Sequence, residues 1–173
     1  SVSPEIQQIH SIVSDISSIN LLKNKLTTVS TKEEFEKNIP IYLQQFKNSF
    51  TNNELIHLRT SLLNSKELIK FNEYNYYKHP FLENDFISAN LVIWGKNAKT
   101  NIHYHPNNGC FIYHICGKWK ETIFFPCLKN IKNENIVNLK DINFINNKIG
   151  PHCVENISDI ELPLSINIYS PGI

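Results

Sequence analysis

The sequence predicts an α+β protein of mainly β structure, in which N-terminal helices form a layer on a β-sandwich or barrel. The first seventy or so residues show helical periodicity with marked helix starts. From about Phe71 onward, short β-branched and aromatic runs alternate with turn residues, at a spacing typical of all-β folds. No internal repeat or linker is present. We therefore expect one domain over residues 1–173, with helices in 1–70 packed on a barrel formed by 71–173.

Apolar stripes and capping residues predict three short helices in the N-terminal part. The stripes consist of Ile6, Ile9, Val13 and Ile16 in one segment and of Leu55, Ile56, Leu58, Leu62 and Leu63 in another. The segments Thr31 to Glu34 and Thr51 to Glu54 both fit the capping box, in which the hydroxyl caps the third amide and the Glu reaches back. We expect Pro40 to disturb the middle helix, because proline lacks the amide hydrogen of the helical ladder.

Short runs rich in β-branched and aromatic residues predict the strands of the second part. The predicted strands are Phe86 to Trp94, Thr100 to His105, Cys110 to Cys116, Trp119 to Phe125, Ile136 to Leu139, Phe144 to Ile149 and Leu164 to Tyr169. Asn146 and Asn147 mark a turn.

Composition favours a small-molecule partner. The 17 basic and 16 acidic residues nearly balance, so no strong field would attract nucleic acid or an anionic membrane. No run of eighteen or more apolar residues occurs, and the start SVSPEIQQIH lacks the pattern of a signal peptide. We expect a cytoplasmic protein, a monomer, with no nucleic-acid or membrane partner. The four cysteines contain no Cys-x-x-Cys pair and are expected to be mostly reduced.

Three histidines form a candidate metal site. His103 and His105 are two apart on a predicted strand, so both imidazoles leave one face while Tyr104 leaves the other. His152 is the best remaining candidate for a third ligand. A His-x-His pair is weak evidence by itself, because two strand histidines paired with polar neighbours are the more frequent explanation of such a pair. Three imidazoles with open positions suit iron, zinc, nickel or copper.

Several spaced motifs resemble the cysteine dioxygenase family of cupins. His103-x-His105, four residues, Cys110, six residues and Gly117 match the first cupin motif, with the Cys of this family where most cupins have Glu. The other matching segments are Gly117-Lys-Trp-Lys-Glu121-Thr-Ile-Phe124, Gly150-x-His152-x-Val154-Glu155-Asn156 and Ser165-x-Asn167-x-Tyr169-Ser170-Pro171. The similarity covers roughly Phe71 to Pro171, and it implies a cupin barrel (double-stranded β-helix or jelly roll).

The resemblance also implies a chemistry. Its members hold iron(II) on three neutral imidazoles, here His103, His105 and His152, and add both atoms of dioxygen to a small thiol, most often L-cysteine, to give a sulfinate. Cys110 and Tyr169 match the positions of a family-specific thioether cross-link that fixes a phenol near the iron. Without the resemblance, these two residues would be interpreted as a small buried hydrophobe and a core aromatic.

Two residues depart from the family pattern. Lys78, near Tyr76, stands where the family places an Arg that grips the substrate carboxylate, so the charge is kept but the bidentate fork is lost. Asn167 stands where the family's Ser-His-Tyr relay, here Ser165 to Tyr169, has its His. The alternatives are therefore a dioxygenase for mercaptopropionate or cysteamine, or a non-catalytic cupin that binds a metal or small ligand.

Simple structural roles are expected for the remaining candidates. We expect His114 to be a core histidine with a hydrogen-bond partner, Trp94 to pack in the core and Cys153 to face away from the metal. Surface positions are expected for His10, His57 and His79, and core positions for Cys116 and Cys127.

Overall fold

In the computed structural model, helices precede strands along the chain. The structure describes residues 4–65, 75–126, 130–137 and 141–172, with side chains from residue 8. The helices in these ranges are α1 (Pro4–Ser14), α2 (Ser17–Leu26), α3 (Lys32–Ser49) and α4 (Asn52–Asn64). The strands are β1 (Tyr76–Glu83), β2 (Ser88–Trp94), β3 (Gly109–Cys116), β4 (Trp119–Phe124), β5 (Ile131–Val137), β6 (Ile142–Ile145), β7 (His152–Asn156) and β8 (Leu164–Ser170).

The prediction of three helices is wrong, because the first apolar stripe is divided between α1 and α2. Ile16 has an extended backbone and stands at the N-cap of α2, yet it stays buried together with Ile9 and Val13. The apolar stripe therefore stays buried across the break between α1 and α2, and helical periodicity does not reveal that break. None of the described helices has both the length and the apolar character that a bilayer crossing requires.

The predicted caps are present, and Pro40 does not end the middle helix. Thr51 and Glu54 form the complete reciprocal capping box, while the Thr31 hydroxyl accepts from the amide of Glu34. Helix α3 continues through Pro40. Its buried face compensates for the missing backbone bond by packing against the core, through Phe35, Ile39, Leu43 and Phe46.

Two antiparallel sheets form the β part. The larger has the order β1-β2-β8-β3-β6 and the smaller the order β5-β4-β7. Side-chain alternation on β3 separates two faces: Phe111 and Tyr113 pack with the helices, whereas Cys110 and Ile112 pack with Ile123 of the smaller sheet. The α+β class, with helices on a cupin-type double-stranded β-helix, is therefore confirmed.

Strand predictions are least accurate where the chain is polar or irregular. The segment from Thr100 to His105 is not a strand, although His103 makes an isolated bridge to His152. Strand β5 begins earlier than predicted because its exposed edge position does not require apolar residues, and residues 138–140 lie outside the described ranges. Strand β6 ends before Asn146, whose side chain accepts from the amides of Lys148 and Ile149 and forms the turn. Strands β1 and β7 are not among the seven candidate strands of the sequence.

Candidate metal centre

A cavity of about 310 Å³ opens between the two sheets. Eight of the nine predicted site residues line it, namely Tyr76, Lys78, His103, His105, Cys110, His152, Asn167 and Tyr169. Ser165 is fully buried behind Asn167 and contacts it. Residues from β1, β3, β7, β8 and the loop before β3 thus meet in one place, although they are far apart in sequence.

Hydrogen bonds to their backbone groups hold the three histidines in place, although His103 and His105 lie outside regular strands. His103 and His152 exchange backbone hydrogen bonds of 2.9 and 3.1 Å. The Asn147 side chain accepts from the amide of His105 and donates to its carbonyl, at 2.8 and 3.0 Å. The convergence inferred from a strand is therefore achieved by an irregular segment tied to β7 and to the β6–β7 turn. Tyr104 points away, as predicted, and donates to the carbonyl of Pro126.

The three imidazoles form a tight cluster. The Nε2 atom of His152 lies 2.8 Å from Nε2 of His105 and 3.0 Å from Nε2 of His103. One ring nitrogen from each of the three lies within 4.8 Å of the others, a spacing that could hold a metal ion.

Outer partners determine which nitrogen of each ring carries the proton. His103 Nδ1 donates to the carbonyl of Asn101 at 2.7 Å, and His152 Nδ1 donates to the Glu121 carboxylate at 2.8 Å. In the neutral rings Nε2 is then unprotonated, so two lone pairs face each other across 3.0 Å. A bound cation would relieve this repulsion, and the outer acceptors are the kind that orient metal-bound imidazoles. The donor set therefore fits a transition metal.

Burial favours the neutral form of His103 and His105, the form that metal binding requires. Burial, with the neighbouring imidazoles and Lys78, lowers the pKa of His105 to about 3. Burial also lowers the pKa of His103, with opposition from its bond to Asn101. His105 Nδ1 is buried without a hydrogen-bond partner among the described residues. None of the described residues that line the cavity is acidic.

A line of hydrogen bonds reaches Tyr169 from behind the cavity. Trp94 Nε1 donates to Ser165 Oγ at 3.1 Å, Ser165 donates to Asn167 Oδ1 at 3.0 Å, and Asn167 Nδ2 donates to Tyr169 Oη at 3.4 Å. Lys78 Nζ approaches the same phenol oxygen at 2.7 Å. The Lys78 side chain is exposed as a whole, but its ammonium lies 4.7 Å from the centre of the Tyr169 ring. Partial burial lowers the pKa of Lys78.

Cys110 is a free, buried thiol that packs with Tyr169. Burial raises the pKa of Cys110 to about 12, although the nearby Lys78 opposes this rise. Burial also raises the pKa of the Tyr169 phenol. Both groups are therefore protonated near neutral pH.

Most of the residues with expected structural roles lie where predicted. His114 is buried with Nδ1 3.4 Å from the carbonyl of Asp141, and burial lowers its pKa to about 4. Trp94, Cys116 and Cys153 are buried, and Cys153 is not among the cavity residues. Cys127 lies outside the described residues.

The surface position predicted for His79 is wrong. The side chain is 2% exposed, lies 5.9 Å from the ring of His10 and has no hydrogen-bond partner at either ring nitrogen among the described residues. Helix α1 packs against β1 and covers this side chain. Because α1 and β1 are far apart in sequence, the residues around His79 do not indicate that it is buried. Sequence reasoning also did not assign roles to Glu121, Asn101 and Asn147. Only the family-like segment around Glu121 offered a signal for any of them.

Comparison with known proteins identifies the family. Residues 29–173 match the family model of cysteine dioxygenase type I. The human cysteine dioxygenase type 1 is 34% identical over 108 residues, which are 59% of this chain and 54% of that protein. The zebrafish protein of the same name is 30% identical over 109 residues, with the same coverage. The chain thus spans about half the length of the curated relatives it matches.

Among solved structures, a cupin superfamily protein from Desulfitobacterium hafniense aligns with a TM-score of 0.47 and 10% identity, over 60% of this chain and 84% of that one. The family match is independent of that alignment. It covers well over half of the 173 residues, including the three histidines, Cys110 and Tyr169. The chain belongs to the cysteine dioxygenase type I family.

Proposed function

We propose that the chain is an iron(II)-dependent thiol dioxygenase that converts L-cysteine and dioxygen to cysteine sulfinate. The observation that carries the proposal is the cluster of three imidazoles in a cavity that also contains Lys78 and Tyr169. Family membership supports the reaction class. Iron(II) on His103, His105 and His152 would supply affinity for the thiolate and the redox chemistry by which dioxygen oxidises sulfur.

Lys78 supports a substrate with a negative charge. Its ammonium lies at the cavity wall, and none of the described lining residues is acidic. A carboxylate would therefore find a cation, whereas the ammonium of cysteamine would meet a like charge. This favours cysteine or mercaptopropionate over cysteamine. Unlike Arg, Lys78 would bind the carboxylate without a bidentate fork, so binding would depend more on Tyr76 and Tyr169 beside it.

Tyr169 would orient the reactants. Its oxygen accepts from both Asn167 and Lys78, so its own hydrogen can be donated toward the cavity. A fixed donor at this place would hold the substrate or dioxygen in position and would supply a proton where negative charge develops. The Cys110–Tyr169 thioether bond would restrict the phenol ring further.

Oxygen consumption tests the proposal. The protein is reconstituted with iron(II) without air, and oxygen uptake is then measured with cysteine, mercaptopropionate and cysteamine, with sulfinate measured by mass spectrometry. Cysteine should be consumed one-to-one with dioxygen, and cysteamine should be the poorest substrate. Zinc-loaded protein is the matched control, because zinc can fill the same imidazole site without redox chemistry. Tight iron binding without uptake for any thiol would instead indicate a non-catalytic cupin.

A further inference from the structure

Trp94 lies at the far end of the hydrogen-bond line that reaches Tyr169. We infer that Trp94 is a positioning residue, which acts through Ser165 and Asn167 to fix the direction in which Tyr169 donates its hydroxyl hydrogen. The inference rests on the proposed function, because only a reaction in the cavity makes that direction matter. Trp94 is 4% exposed, and its indole nitrogen donates to Ser165 Oγ at 3.1 Å.

The direction begins at a group that can only donate. An indole N–H has no acceptor capacity, so Ser165 Oγ accepts from Trp94. Ser165 has a single hydroxyl hydrogen, which is directed at Asn167 Oδ1 at 3.0 Å. The amide of Asn167 is thereby oriented with its oxygen toward Ser165 and its NH2 group toward Tyr169.

The other end of the line is also a donor. The Lys78 ammonium has three N–H groups and no acceptor, and it lies 2.7 Å from Tyr169 Oη. Tyr169 therefore accepts from Asn167 and from Lys78, and its own hydrogen is left for the cavity. If the Asn167 amide were turned over, its oxygen would accept that hydrogen. Ser165, which is fully buried, would then face two donors and lose the acceptor for its own hydrogen.

This arrangement does not reverse with pH in the neutral range. A histidine in place of Asn167 could change both its charge and its donor nitrogen near neutral pH, whereas a primary amide keeps its two donors and its acceptor. The orientation of Asn167 consequently depends on its hydrogen-bond partners, and Trp94 fixes it from the Ser165 side because an indole N–H can only donate.

The two tryptophans provide a matched test. Trp94 and Trp119 are both buried, and their ring centroids lie 6.0 Å apart in the same apolar cluster. Unlike Trp94 Nε1, Trp119 Nε1 has no hydrogen-bond partner among the described residues. Trp94→Phe and Trp119→Phe therefore remove similar apolar volume, and only the first removes a donor from the line. In the iron-loaded chain with cysteine, Trp94→Phe should lower kcat about fivefold to tenfold and leave KM within about twofold. Trp119→Phe should keep kcat within about twofold.

Ser165→Ala should lower kcat as much as Trp94→Phe, and the double variant should show no further loss, because both changes break the same line. A measurement independent of turnover uses the two indole N–H signals in the NMR spectrum, since the chain has two tryptophans. Ser165→Ala should shift the Trp94 signal and leave the Trp119 signal in place. The positioning role is overturned by any of three results. These are an unchanged kcat in folded Trp94→Phe, a kcat loss in the double variant that equals the product of the two single losses, and a Trp94 indole signal that Ser165→Ala does not shift. Wild-type chain that oxidises no thiol instead removes the proposed function, and this role with it.

Discussion

Cys110 and Tyr169 lie directly opposite each other where β3 pairs with β8. Both side chains face the cavity, and the thiol packs against the phenol ring. Opposite residues on one face of an antiparallel pair are close enough for their side chains to react. We therefore predict a thioether bond between Cys110 Sγ and the Tyr169 ring in iron-loaded protein that is repeatedly exposed to cysteine and air. The bond replaces one S–H and one ring C–H, and dioxygen takes up the two electrons and two protons.

Intact-mass and peptide analysis checks this bond. A population two hydrogens lighter should appear, with the Cys110 and Tyr169 peptides joined. It should be absent in Cys110→Ser and in protein prepared without iron. Cys116→Ser is the matched control, because this buried cysteine on the same strand lies opposite Leu164 and should leave the cross-link intact. Free Cys110 and Tyr169 peptides after extensive turnover would remove the cross-link from the mechanism.

The metal assignment predicts that each imidazole of the cluster is needed. His152→Ala should abolish tight iron binding, because the ion would keep only His103 and His105 as protein ligands. Iron content after desalting is the measurement. His114→Ala is the control, since His114 lines the same cavity and is buried but lies outside the cluster. Full iron content in His152→Ala would contradict the three-imidazole site.

Lys78 is predicted to bind the substrate carboxylate. Loss of a charged hydrogen bond should raise KM for cysteine about tenfold in Lys78→Ala, while Lys78→Arg should lower KM by restoring a bidentate partner. Lys118→Ala, at an exposed lysine outside the cavity, should leave KM unchanged. Steady-state kinetics with cysteine and with cysteamine separates the roles, because a substrate without a carboxylate should not be weakened by Lys78→Ala. Unchanged KM for cysteine would show that another group binds the carboxylate.

Motif spacing predicted the centre of this site better than periodicity predicted its scaffold. His103, His105 and His152 converge as expected, although the first two belong to no regular strand. Their convergence depends on the bridge to β7 and on Asn147, contacts that join segments far apart in sequence. Residue type and spacing indicate which side chains could bind a metal. The irregular backbone that brings these side chains together depends on tertiary contacts, which residue type and spacing do not reveal.

The features of the structure that the sequence did not predict also depend on contacts between residues far apart in sequence. No local sequence pattern indicates a role for Glu121. Its carboxylate nevertheless accepts from His152 Nδ1 and orients that ring, because β4 pairs with β7. Strand β5 lies at a sheet edge, where a polar run such as that around Asn133 is tolerated. His79 alternates with exposed neighbours on β1, and only the docking of α1 buries it.

The buried imidazole of His79 predicts an acid-sensitive contribution to stability. Burial, with a smaller effect from His10, lowers the pKa of His79 to about 4 from an ordinary value of 6.5. The unfolded chain therefore binds a proton at a higher pH than the folded chain does. Stability from the neutral imidazole is fully present above pH 6.5 and is lost as the pH falls from there toward 4. Between pH 7 and pH 5 this loss is on the order of 2 kcal/mol.

Urea unfolding of the metal-free chain at pH 7 and pH 5 measures this loss, since the absence of metal removes competition between protons and metal at the other histidines. His79→Leu keeps an apolar group of similar size beneath α1 and cannot be protonated. Its unfolding free energy should therefore fall less between the two pH values than that of the wild type, by about the 2 kcal/mol estimated above. His57→Leu, at an exposed histidine of α4, should keep the wild-type pH dependence. Equal pH dependence in His79→Leu and wild type would mean that the folded chain accommodates a charged His79, for example by opening the contact between α1 and β1.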